Sequence, residues 1–279
     1  MSAGAGATGP WRPAEERALT ARSVVASTLL GVRPPRLPTR HLVGACALFG
    51  ISDGTARVAI SRMVGAGELE AADGGYALTG ALLERSARQD LSADAATRPW
   101  APGDGWAMAV VVVEARPPAE RAALRRAAGE LRLAERREGV WIRPDNLPPG
   151  ALPDAEAVVA AQCDRYTAVP AGEGAALAAS LWDLAGWAAR ADRLAEALAR
   201  TGPALETGDR TALPEGFVLS AAVLRHLQAD PLLPAALLPP QWPGPALRRA
   251  HRAWRRAFET TWATWARAPH GDAAPTLPG

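Results

Sequence analysis

Residues 40–78 hold two short amphipathic stretches separated by a glycine turn and running straight into a hairpin, an order that few folds accommodate. In the segment RHLVGACALFG, Leu42, Ala45, Cys46 and Phe49 fall on one side of a helix. Gly50-Ile51 makes the tight turn, and Ser52 or Asp53 is a natural N-cap for the helix that follows. At 100° per residue, the Ala56, Ala59, Ile60 and Met63 side of that second helix is apolar, which leaves Arg57, Val58, Ser61 and Arg62 on the opposite side. Gly65-Ala66-Gly67 ends it near Val64. Residues 69–72 and 76–79 then read as two strands around Asp73-Gly74-Gly75, a turn that accepts positive φ. The spacing predicts a helix-turn-helix with a β-wing.

Charge concentrates in the same place. Seven arginines between Arg17 and Arg62 face the single acid Asp53, although the whole chain carries a formal net charge of only +2. A basic unit of this shape suits duplex DNA, where phosphate contacts give affinity and side chains on the second helix read base edges in the major groove. The residues expected at DNA are Arg40, Thr55, Arg57, Ser61 and Arg62, with Gly74 at the wing. All basic side chains other than histidine are arginine. That reflects compositional bias first, although the planar guanidinium fork does suit phosphate and guanine.

The chain of 279 residues, 48% hydrophobic, is long enough for two or three compact domains. It has no apolar run of spanning length and no secretory signal pattern, so the expected setting is soluble and cytoplasmic. Cys46 and Cys163 sit in apolar contexts far apart and read as two reduced, buried thiols. Residues 1–18, small and rich in Gly and Pro at the start, are expected to be disordered. A helix over residues 20–30 braces a winged-helix domain spanning 19–97, in which residues 81–90 form a further short helix. The prolines and glycine of Arg98-Pro99-Trp100-Ala101-Pro102-Gly103 mark a boundary. Residues 106–113 form a buried strand, 118–133 a helix and 139–142 a second strand, with 155–160 and 165–169 as further strands. A split βαβ, ferredoxin-like sheet over 98–172 is the economical expectation, with no clear second crossover helix. From 173 to 268 the pattern is all-α, with helices over 177–201, 215–228 and 245–268. The proline-rich stretch between the last two wraps a surface through its Leu and Trp anchors. A loose tail follows over 269–279. The fold class is thus α+β and multidomain.

Three segments together resemble the PaaX-type phenylacetic acid degradation repressors: GISDGTARVAISRMVGAGELE from Gly50, GVWIRPDNLP from Gly139, and LWDLAGW from Leu181 with DPLLPAALLPPQWPG from Asp230. The resemblance implies a bacterial transcriptional repressor with an N-terminal winged helix, a central ferredoxin-like (Cas2-like) domain and a helical C-terminal domain. It implies a homodimer on double-stranded operator DNA, released by an aryl-CoA thioester such as phenylacetyl-CoA, and no contact with membranes. Two positions where family members usually carry aromatic residues correspond to Ala191 and Leu224, which opens the effector to another acyl-CoA or an unrelated small molecule. Trp141, Arg143, Trp182, Arg225, His226 and Trp242 are the candidate lining for an effector pocket between the last two domains, where arginines meet CoA phosphates and tryptophans an aryl or adenine ring. Each also has a structural alternative, as core tryptophans or as arginines paired with Asp145 or Asp183.

The chain is expected not to be an enzyme and to carry no cofactor. It has no P-loop and no Gly-x-Gly-x-x-Gly after a strand, and His41, His226, His251 and His270 are too scattered for a metal site. The alternative is a metal-dependent nuclease of the Cas2-like type, which would need an acid at the end of the first central strand, where Glu114-Ala115 stands.

Overall fold

The computed structural model describes residues 9–16, 19–32, 34–80, 82–83, 96–113 and 115–267. Contacts divide the chain into two compact units, one made of residues 1–90, 190–228 and 244–279, the other of 91–189 and 229–243. It is a mixed α+β structure with two small antiparallel sheets. Glu114, most of the short helix expected over 81–90, and the tail over 269–279 lie outside the described residues.

In the first unit, α1 (Ala21–Leu30) starts at Thr20, whose hydroxyl accepts from the Ser23 backbone N–H at 3.2 Å. Strand β1 (Arg36–Pro38) leads into α2 (Thr39–Ala47), and α3 (Asp53–Gly65) follows a turn that Gly50 permits with φ 68°. The Ser52 hydroxyl caps α3 by accepting from the Thr55 N–H at 3.3 Å. Val24, Val25, Leu29, Leu42, Cys46, Ile60 and Met63 close one core among these three helices. At about 1.5–3 kcal/mol per fully buried large apolar side chain, that core is what holds α3 in place.

Strands β2 (Leu69–Ala72) and β3 (Gly75–Leu78) form the expected hairpin, but the turn is shorter than predicted. Asp73 (φ 40°) and Gly74 (φ 76°) alone make it. Gly75 instead begins β3 and lies under a third strand that sequence reading missed, since β1 pairs antiparallel with β3. A Cβ on Gly75 would sit 2.0 Å from the Leu37 carbonyl oxygen, so the close approach of β1 requires glycine there.

Residues 9–16 correct the expectation of a disordered start. Trp11 is 1% exposed, and a 3-10 turn over Pro13–Glu15 presents two acids to arginines of the same unit. Glu15 takes Arg193 at 2.6 Å, while Glu16 pairs with Arg190 and Arg225. Burial raises the pKa of the Glu16 carboxyl, but the Trp11 indole and the two guanidinium groups outweigh it and hold the group below its usual value. Residues 1–8 and 17–18 lie outside the described residues.

The second unit follows the order β4 (Trp106–Val111), α4 (Pro118–Glu130), β5 (Ala134–Arg137), β6 (Val140–Pro144), α5 (Pro153–Gln162) and β7 (Cys163–Ala168). The sheet runs β5-β6-β4-β7, antiparallel throughout. The strand expected over 155–160 is in fact helix α5, a second crossover where the sequence pattern shows no clear one. Pro153 at its first turn with Asp154 and Glu156 is an N-terminal helix signal that the Ala-Val-Val-Ala run obscured. α4 and α5 cover one face of the sheet. The other face packs on α6 (Gly174–Leu181), the start of α7 (Leu184–Glu206) and the proline-rich stretch, through Leu233 and Leu237.

The single helix expected over 177–201 is two. Trp182 is extended, and the Asp183 carboxylate accepts from the Gly186 N–H at 2.8 Å to restart the chain as α7. A Cβ on Gly186 would meet that carboxylate at 2.2 Å, so the cap and the glycine go together.

The rest of the first unit is the end of α7 with α8 (Leu213–Gln228) and α9 (Gly244–Arg267). α9 carries Trp254, Phe258 and Trp262 as a ladder with ring centroids 5.3 and 5.8 Å apart. One turn earlier, His251 is buried with its Nε2 3.2 Å from the Ser220 hydroxyl. Burial, with Arg255 and Arg252 nearby, lowers its pKa to about 4. The unfolded chain therefore binds a proton between about pH 6.5 and pH 4 that the folded chain refuses. Stability should fall across that window by up to about 3 kcal/mol as pH drops. Urea midpoints measured from pH 7 to 4 should show this slope, and His251→Gln should flatten it.

Candidate nucleic-acid interface

The first unit presents the α3 side opposite its core to solvent. Thr55, Arg57, Ser61 and Arg62 are all exposed there, as is Arg40 at the start of α2. Arg57 pairs with Asp53 one turn back along the helix, and both side chains are more than half exposed. Such an exposed pair contributes little to stability, so Arg57 is available to a phosphate or a guanine edge. Among the described residues, Arg40 and Arg62 face no acid at ion-pair distance. The Thr55 hydroxyl lies 2.9 Å from that of Ser52, so it serves the helix cap as well as the exposed face. Gly74 is at the tip of the hairpin, with φ 76°.

Two further exposed residues outside the expected set lie next to its members. Val58, 51% exposed between Arg57 and Ser61, offers a methyl pair where a thymine methyl can be read. Arg36 on β1 pairs with Asp73 at 2.8 Å and brings a guanidinium to the hairpin tip. The apolar exposure of Val58 was visible in the helical pattern. Arg36 was not placeable without β1.

Residues 50–54 also spell Gly-x-Ser-x-Gly, the spacing of a nucleophile elbow. Here Ser52 follows a helix instead of a strand and is used as the α3 cap, so the geometry of an elbow is missing. Among the described residues no group of three or more His, Cys, Asp or Glu is arranged to hold a metal ion. Burial raises the thiol pKa of both cysteines, that of Cys46 to about 11.

The six effector candidates are divided between the two units. Trp141, Arg143, Trp182 and Trp242 belong to the second unit, Arg225 and His226 to the first. Trp141 packs with α4 and α5, whereas Trp182 and Trp242 pack with Trp106 and α6, on the opposite face of the sheet. Trp242 stacks on Trp187 at 4.5 Å. Arg143 is 3% exposed, and Asp145, one of the acids offered for it, makes its ion pair with Arg98 at 3.0 Å. Its guanidinium donates to the carbonyls of Leu131 (2.9 Å), Pro144 (3.0 Å) and Leu232 (3.4 Å) and to Asn146 Oδ1 (2.5 Å). Burial, with Arg132 nearby, lowers its pKa to about 9. Arg225 is held by Glu16, and His226 is buried. Ala191 is fully buried in the first unit.

The arrangement is that of an α+β chain whose N-terminal part shows an exposed, arginine-bearing helix face beside a hairpin, followed by a helix-rich C-terminal part. Residues 20–82 match the family model of the PaaX-like protein, and residues 182–268 match that of the PaaX-like protein C-terminal domain. A solved structure, the uncharacterized protein Rv0674 from Mycobacterium tuberculosis, is similar at 41% sequence identity and a TM-score of 0.66, over 88% of this chain and 99% of that one. No curated protein matches. The chain belongs to the PaaX-like family.

Proposed function

We propose that the protein is a DNA-binding transcriptional regulator of repressor type, and that it has no enzymatic activity. The first unit's α1–α3 with β1–β3 reads as a winged helix, with α3 entering the major groove and the Asp73-Gly74 tip reaching the flanking backbone. The second unit's sheet reads as ferredoxin-like. The observation that carries the proposal is the α3 face, where Arg57, Val58, Ser61 and Arg62 are all exposed on a helix locked from behind by a closed core. Exposed arginine and valine on one helix face match the chemistry of guanine and thymine edges. Membership of the family supports the same reading. Among the described residues no helix is long and apolar enough to cross a membrane.

A single winged helix reads few base pairs, so the protein acts as a homodimer on a pseudo-palindrome with half-sites one or two helical turns apart. The controlled genes belong to aromatic catabolism of the phenylacetate type, and an aryl-CoA thioester, phenylacetyl-CoA first, releases the operator. Selection from random duplex DNA followed by gel shift tests this. A two-fold-symmetric site should be enriched, and light scattering should give two chains per site. Recovery of no preferred sequence, or a monomer on DNA, overturns it.

A further inference from the structure

A cavity of about 560 Å³ lies inside the first unit, walled by α1, β1, α2, α8 and α9. Its volume is in the range of small-molecule sites, about 300–1,000 Å³. Phe217, Phe258 and Trp262 supply ring walls, with Phe217 and Trp262 centroids 6.0 Å apart, and Leu30, Val32, Leu37, Ala221, Leu224 and Ala263 add to the apolar lining. The polar lining is Ser27, Thr28, His41, Ser220, Arg255 and Glu259. The Ser220 hydroxyl is anchored by His251. Arg255 forms an ion pair with Glu259 through its Nε at 2.8 Å, both side chains about half exposed. That pair is weak enough to yield to a ligand anion. None of Trp141, Arg143, Trp182, Arg225, His226 or Trp242 lines the cavity.

We infer that this cavity binds a compact aromatic molecule, its ring between Phe217, Phe258 and Trp262 and a short polar or anionic arm toward Ser220 and Arg255. Ring walls with apolar sides select a flat hydrocarbon body, and one solvent-side guanidinium admits a single anionic group. The same ring chemistry can arrive as a free aryl carboxylate or as the aryl end of a thioester. The cavity also touches the DNA-binding elements. Leu37 and His41 line it beside Arg36 and Arg40, and Phe217 packs at 5.1 Å on Phe49, at the turn that precedes α3. An occupant therefore bears on α2 and on the turn from behind, and affinity for DNA changes if those contacts differ between free and DNA-bound forms. This last step rests on the DNA-binding reading, while the binding itself does not.

The test is calorimetric titration of the full chain, without DNA, with phenylacetate, indole-3-acetate and phenylacetyl-CoA. At least one should bind in the micromolar range, and Ala221→Phe and Ala263→Phe, which fill the cavity, should weaken it at least about tenfold. Binding by the free acids assigns the carboxylate arm, and binding by the thioester alone assigns the acyl source. In either case Trp262→Phe should remove most of the ligand-induced change in tryptophan fluorescence, a readout that holds even if a filled variant fails to fold. Absence of binding by all three probes, or ligand binding and quenching unchanged in the filled variants and Trp262→Phe, overturns the site. Absence of sequence-specific DNA binding by the ligand-free chain, with ligand binding intact, would overturn only the regulator reading.

Discussion

Replacing Arg57 and Arg62 together by alanine is expected to lower affinity for the selected operator by about a hundredfold or more while leaving the thermal midpoint nearly unchanged. Each arginine–guanine contact is worth about 1–3 kcal/mol of discrimination, so losing two costs enough to erase a specific shift at ordinary protein concentrations. The stability side is small for a physical reason. Both side chains are exposed, the core behind α3 is built from Ala56, Ile60 and Met63, and the solvated Arg57–Asp53 pair contributes little. The salt dependence sorts the two roles. An arginine that contacts phosphate lowers the slope of log K against log salt by about one unit when it is removed, whereas one that reads a base leaves the slope and relaxes the sequence preference. Operator binding within threefold of the parent in a gel-shift titration would remove α3 from the interface.

The parts of this fold that were legible in the sequence are those with local signals. The cap at Ser52, the apolar positions Ala56, Ile60 and Met63, and the Asp73-Gly74 turn each announce themselves within a few residues. The misplaced or missed elements lack such signals. β1 is three residues ending in proline and is a strand only because β3 pairs with it across the gap left by Gly75. β5 is the polar run Ala-Glu-Arg-Arg, exposed along most of its length and held by β6. α5 was hidden by valines that favour strands in isolation, and the tertiary fit against α4 decides otherwise. The candidate site divides in the same way. The α3 face is a periodicity within one helix and could be read directly. The cavity takes its walls from residues 27–41, 217–224 and 255–263, three stretches whose proximity no spacing rule reports. Tryptophan and arginine in the motif GVWIRPDNLP looked like ligand groups because their chemistry suits CoA, yet on β6 alternation sends Trp141 into the helical face and Ile142 to the other.

Arg143 marks the difference between a ligand contact and a structural one, and its substitution should separate them. Its guanidinium joins β6 to the segment that follows α4 and to the proline-rich stretch: Leu131 accepts on one side, and on the other Leu232, whose carbonyl also receives the Asn146 amide at 2.9 Å. Leu232 is held with φ 52°, and the Asp230 carboxylate accepts its N–H at 2.9 Å, so that carbonyl is aimed at the arginine by the local turn. Arg143→Ala removes the donor from these buried acceptors and leaves a space that the packed sheet and helices cannot refill. The expected loss is about 3 kcal/mol, from buried neutral acceptors left unsatisfied at about 1–3 kcal/mol each, partly offset by removal of a costly buried charge. Arg143→Met, which keeps most of the volume but not the hydrogen bonds, should recover part of the packing and little of the rest. Denaturation curves measure both. If Arg143 instead faced a ligand, the alanine variant would keep its denaturation midpoint and lose effector binding alone. A midpoint unchanged in Arg143→Ala would therefore return this residue to the ligand site, whereas destabilisation together with undiminished binding of an aromatic probe to the folded fraction would fix its role as the tie between β6 and the proline-rich stretch.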